Sequence, residues 1–237
     1  GASRSYDART NLFEMSAQKV GRSDEMGALE PMIRGKLATH PHAQAFAAEV
    51  LHVHKRYATE IVQGFSLCPF TRDVEVAFGK FCVMLDREPD HEATRAAILE
   101  AKSPVLHVVF PLALPAPNLF ERFASNLVAS LRGELDSPPV MAAFHPELVG
   151  DRDNAHRMIG LLRRAPDPFV QFIPAGNHEG GTVFASSVEE AEEASQDRAE
   201  WTFKRLRGGK LDELLAISAD IRAERDRRYA AFAADWG

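Results

Sequence analysis

Between Phe81 and Ile173 the chain alternates short apolar runs with longer amphipathic stretches, and this alternation limits the fold more than any other feature of the sequence. The runs are Phe81 to Leu85, Val105 to Phe110, Val140 to Phe144 and Phe169 to Ile173; the stretches between them span 90–102, 118–133 and 152–164. Short runs rich in valine and phenylalanine read as buried strands, and stretches with apolar residues at a 3.6-residue period read as helices. The resulting β-α-β-α-β-α-β string predicts an α/β fold, a central sheet of about four strands alternating with helices. In such folds ligands gather where strand ends meet the loops that follow them. Phe110-Pro111 and Phe144-His145-Pro146 stand at such ends.

Upstream, Phe46, Val50, Tyr57, Ile61 and Phe65 form one apolar helical face that runs into Gly64 and Leu67-Cys68-Pro69-Phe70. Residues 1–42 lack sustained periodicity and read as a partly disordered arm, residues 43–175 as the α/β core domain, and residues 176–237 as a helical extension packed on it. That extension holds an acidic run at Glu189–Glu193 and expected helices near 189–206 and 210–232, with Trp201, Phe203, Leu211, Leu214, Ile221, Tyr229 and Phe232 on their apolar faces.

Composition narrows the function classes. The formal charge of -6 leaves no concentrated basic face for a phosphate backbone, so nucleic acid is not an expected partner. No apolar run approaches the ~20 residues of a membrane helix and no signal-peptide pattern stands near the start, so a cytoplasmic protein is expected. The two cysteines, Cys68 and Cys82, form no CxxC pair, which argues against a zinc finger or disulfide framework. HExxH, GxSxG, P-loop, GxGxxG and CxxCH motifs are all absent.

Two proline-punctuated motifs carry the chemistry. Cys68 precedes Pro69 at the end of a helix and reads equally as a turn-filling hydrophobe or as a nucleophile, whereas Cys82 lies inside a strand and reads as core. His145 follows a strand and precedes a proline, which suits either a structural histidine or a metal ligand or base. Asp151 and Asp153 read as helix-capping acids, while Asn154 and His156 could line a pocket. Arg163 and Arg164 suit the C-terminal dipole of a helix and equally a carboxylate or propionate clamp. In the Asn177-His178-Glu179-Gly180-Gly181 loop the glycines alone do not make a phosphate site. His40, His42, His52 and His54 form two HxH pairs, but on a helix such rings diverge by about 200°, so solvated side chains are expected at His52 and His54.

The ordered set Gly64-Phe65-Ser66-Leu67-Cys68-Pro69-Phe70, Ala143-Phe144-His145-Pro146, Asp153-Asn154 and Arg163-Arg164-Ala165-Pro166-Asp167-Pro168-Phe169 resembles an uncharacterised bacterial family, domain of unknown function 1415. That resemblance covers about 43–174 and implies no activity. A more distant resemblance, carried by His145, Pro146, Arg163 or Arg164, Pro168, Asn177 and His178, is to histidine-ligated haem oxygenases acting on amine or guanidine nitrogens. It implies haem as cofactor with His145 as the proximal iron ligand, Arg163 and Arg164 at the propionates, Phe70, Phe110 and Phe144 as walls, and an electron donor as partner.

Three expectations result. The first is a haem-dependent oxidoreductase acting on a small amine- or guanidine-containing molecule. The second is a cofactor-free thiol enzyme with Cys68 as nucleophile, His145 as base and Asp153 or Asn154 as orienter. The third is a non-catalytic binding protein whose C-terminal helices dock a partner or a second copy; monomer and homodimer are both compatible with the sequence.

Overall fold

The computed structural model describes residues 29–67, 78–103, 105–132, 134, 140–173, 199–234 and 236. Cys68, Pro69, Phe70, Asn177, His178 and the acidic run at Glu189–Glu193 lie outside them.

The α/β architecture expected from the alternating pattern is present as a mixed five-stranded sheet. Its strands are β1 (Met32–Arg34), β2 (Lys80–Met84), β3 (Leu106–Val109), β4 (Val140–Phe144) and β5 (Phe169–Ile173), arranged in the order β1-β2-β3-β5-β4. The first three strands pair in parallel, and β5 runs antiparallel to both β3 and β4. β4 therefore points the same way as β1, β2 and β3, and the carboxyl ends of four strands share one edge with the amino end of β5.

β1 corrects the expectation of four strands. It comes from the stretch read as an arm, where three residues are too few to show a period. Its place at the sheet edge is fixed from outside the strand. The Leu85 amide donates to the Arg34 carbonyl, the Leu37 amide donates to the Leu85 carbonyl, and the Lys36 amide donates to Asp86 Oδ1 at 2.9 Å. Gly35 makes the turn at φ 102°, and a Cβ there would collide with the Asp86 carboxylate.

Helices cover both faces. α2 (His91–Ala101) and α3 (Pro117–Leu131) lie on one side. α2 is capped by Asp90, whose side chain accepts from the Ala93 amide at 2.9 Å, and α3 starts with Pro117, whose fixed φ suits a first helical turn. Against them the sheet turns Cys82, Met84, Leu106, Val108, Phe110, Val170 and Phe172. The other face presents Phe81, Val83, Val109 and Phe169 to α1 (Ala43–Tyr57) and to the helices at the end of the chain. The register sets these rows, because Val83, Val109, Phe169 and Phe144 are consecutive cross-strand partners, as are Cys82, Val108, Val170 and Ala143.

α1 buries the face predicted for it, including Phe46, Val50 and Tyr57, and continues as a π-helical turn over Ala58–Gln63. The expected helix over 152–164 shrinks to α4 (Ile159–Leu162). Short polar side chains hold the preceding residues in turns: Asp151 Oδ1 accepts from the Asp153 amide, and Asn154 Oδ1 accepts from the His156 and Arg157 amides. At the end of the chain α5 (199–206) and α6 (Lys210–Ala230) are separated by Gly208 and Gly209, both at positive φ. α6 lies antiparallel on α1, burying Leu211, Leu214, Ile221 and Tyr229.

Candidate functional site

Of the described residues predicted to carry chemistry, Phe144, His145 and Arg163 are neighbours, the His145 amide donating to the Arg163 carbonyl at 3.2 Å. His145 stands at the end of β4 with only 1% of its surface exposed. Its Nδ1 accepts the Glu147 amide at 3.1 Å, which leaves the proton on Nε2, and Nε2–H donates to the Pro115 carbonyl at 2.8 Å. Burial lowers its pKa, against the opposing pull of the Pro115 carbonyl. The imidazole is thus a neutral cross-brace between two loops, with neither nitrogen free to bind iron or to take a proton.

The other predicted cofactor residues among the described ones also have partners. The Phe144 ring stacks on Phe169 at 4.2 Å between centroids, with the planes 5° apart. Arg163 lies 5.9 Å from the Phe144 ring centre, and burial lowers its pKa. Arg164 Nε donates to the Leu148 carbonyl at 2.8 Å. Phe110 packs against Phe120 and Phe123 on the opposite face of the sheet from Phe144, so the two rings cannot wall one macrocycle. Of the residues expected around a haem, His145 and Arg164 are thus engaged in hydrogen bonds and Phe144 in stacking, while Phe70 lies outside the described residues. Among the described residues no group of three or more His, Cys, Asp or Glu is placed to hold a metal ion.

The expectation of two solvated histidines on α1 holds for one. His52 faces α6 and meets Glu224 Oε1 at 3.3 Å. His54 is buried, because α1 is sandwiched between the sheet and α6 and the diverging rings must point one inward. It bonds Asp167 Oδ2 at 3.1 Å, and Tyr229 Oη donates to the same oxygen at 2.8 Å. Arg225 meets Asp167 Oδ1 through Nε at 2.9 Å and Nη2 at 2.8 Å, with Nη2 also reaching the Pro111 carbonyl. Burial alone would push the Asp167 pKa up; His54, Arg225 and Tyr229 together hold it below the ordinary carboxylate range. With every oxygen satisfied, this cluster is a clamp fixing α6 to the sheet edge.

The remaining candidate is a cavity of about 330 Å³ between the end of α1 and the start of α6. Glu60, Gly64, Phe65 and Ser66 line one side, and Arg205, Leu206, Lys210, Glu213 and Ile217 the other. The wall from α1 is unusual backbone. The π turn ends at Gly64, where a Cβ would collide with the Glu60 carbonyl, and Ser66 sits at φ 48°, sparsely populated for a residue with a side chain. Such conformations cluster at functional sites.

Arg205 faces this wall. Its Nη2 donates to the carbonyls of Phe65 at 2.5 Å and Ser66 at 3.1 Å, and its guanidinium lies over the Trp201 ring at 4.5 Å. Burial lowers its pKa, its Nε is buried without a partner among the described residues, and no carboxylate there pairs with it. Compared with protein-family models, curated proteins and solved structures, the chain matches none. The arrangement therefore has to be judged on its own chemistry. A cation held by two carbonyls and an aromatic face, with no carboxylate partner among the described residues, has the chemistry to receive an anion.

Sequence reasoning passed over Arg205, Lys210 and Glu213. The signal was the four-residue spacing of Trp201 and Arg205, which places a ring and a guanidinium on one helix face. The glycine at the end of the α1 apolar stripe marked the other wall.

Proposed function

We propose that this chain is a small-molecule-binding α/β protein that takes an anionic ligand into the cavity between the π turn and α5–α6. The observation that carries the reading is Arg205, a partly buried guanidinium lining a cavity with no carboxylate partner among the described residues. An anion there supplies the missing counter-charge, and the carbonyl clamp fixes the guanidinium before the ligand arrives. The test is the thermal shift of the full chain against a panel of small carboxylates and phosphates. Anions raise the melting temperature of the wild type, and Arg205→Gln abolishes the shift. An equal shift in the variant sinks the reading.

A second reading, a thiol enzyme, has one specific observation in its favour. Ser66 lines the cavity, and Cys68, outside the described residues, follows it two positions later in the sequence. His145 cannot serve as its base, since both ring nitrogens are engaged. Rapid alkylation of Cys68 at neutral pH, slowed by a bound anion, supports this reading, and slow alkylation in both conditions removes it. Haem chemistry is not proposed, because His145, Arg164 and Phe144, among the described residues expected to hold the macrocycle, are engaged in other contacts.

A further inference from the structure

We propose that the ligand of this cavity is a small amino-carboxylate gripped at both ends, its carboxylate by Arg205 and Lys210 and its ammonium by Glu213. The inference rests on the anion-binding reading and narrows it. Four charged side chains line the cavity, and one of them is already neutralised: Glu60 accepts from Arg56 Nε at 2.5 Å and from Nη2 at 3.0 Å. Glu213 and Lys210 form no ion pair with any described residue, and neither does Arg205. The first turn of a helix suits an acid such as Glu213 through the dipole, but the dipole does not account for an acid that shares a cavity with two cations unpaired among the described residues.

Two positive groups and one negative group are complemented by a molecule carrying anionic groups and one ammonium. Phe65, Leu206 and Ile217 supply apolar surface for the carbon skeleton between them. The volume of about 330 Å³ stands at the small end of ligand sites, which suits a molecule of amino-acid size. A simple anion would leave Glu213 facing it, and like charge would oppose binding.

Isothermal titration of the full chain with L-glutamate, with glutarate and with 1,5-diaminopentane tests this directly. L-glutamate binds, glutarate binds about tenfold more weakly for want of the ammonium contact, and the diamine does not bind. Glu213→Gln, at an exposed position where folding is unaffected, removes the difference between the two acids. Equal affinity for L-glutamate and glutarate in the wild type, or a difference that survives in Glu213→Gln, overturns the amino-carboxylate assignment while leaving anion binding in place. Failure of both acids to bind, with Arg205→Gln indistinguishable from wild type, overturns anion binding itself.

Discussion

Asp167 and His107 show how much a single buried polar group decides in this chain. Asp167 is fully buried and its charge is balanced by Arg225. Asp167→Asn keeps the shape but removes the buried counter-charge, leaving that guanidinium only the exposed Asp226 at 2.9 Å, so the expected loss is about 3 kcal/mol by chemical denaturation. Arg152→Ala, which breaks an exposed pair with Asp212, costs under about 1 kcal/mol in the same assay. His107 acts with the opposite protonation preference. Its ring stacks on Phe78 at 4.8 Å and contacts Gln171, and burial together with the nearby His54 lowers its pKa to about 3. The unfolded chain therefore binds a proton that the folded chain refuses. Stability falls as the pH drops below about 6.5 and continues to fall towards about 3, by up to about 1.4 kcal/mol per pH unit from this group. His107→Phe flattens that part of the profile; an unchanged slope refutes the assignment. The role of His107 was not legible beforehand, because it belongs to no motif, and a buried histidine in a strand reads the same as an exposed one until the elements packed on it are in place.

At the scale of elements, α6 is attached by two different forces. Leu211, Leu214, Ile221 and Tyr229 bury apolar surface, while the flanks carry a ladder of ion pairs to α1. Arg56 meets Asp220 at 2.7 Å and also pairs with Glu224; Arg228 meets Glu224 at 2.6 Å and Glu49 at 2.5 Å. The two arginines hold the Glu224 pKa down at about 2. A carboxylate depressed in this way stabilises the fold above its ordinary pKa of 4.5, and that contribution is lost as the pH falls from there towards 2. Glu224→Gln removes it, and amide exchange across 210–230 accelerates in the variant and, for the wild type, in 1 M salt. Exchange that ignores both changes shows the apolar stripe to be sufficient alone. The helices themselves were legible: α2 and α3 kept their predicted spans to within two residues, and the stripe expected up to Phe65 is divided between α1 and the π turn that follows it, since each has a continuous apolar stripe. The helix expected over 152–164 failed because Asp151 and Asn154 bond their own neighbouring amides, an alternative that periodicity does not register.

For the whole molecule, the sheet separates two cores. One lies under α1 and α6, the other under α2 and α3, and the strands between them contribute alternate residues to each. Ile61→Val and Ile98→Val, one in each core, are expected to cost about 0.5–1.5 kcal/mol apiece, and in combination to add within about 0.5 kcal/mol. A larger discrepancy means that strain crosses the sheet. The α/β class followed from the alternation of apolar runs, but the strand order did not. No local pattern announces that β5 runs antiparallel, because a strand buried on both faces reads the same in either direction. The site was the least legible part. It is assembled from a backbone turn and two helix ends far apart in sequence, and no short motif spans them.

The position of β5 also imposes an order of events on folding. Among the described residues β4 has no partner other than β5, and β3 is separated from it by the full width of that strand. When the chain emerges residue by residue, β1, β2 and β3 can pair as soon as they exist, but β4 must wait, with an unpaired edge, until residues 169–173 arrive and insert beside it. The last described strand in sequence is thus a keystone of the sheet: it joins β4 to β3, so that edge of the sheet closes only when the chain has reached residues 169–173.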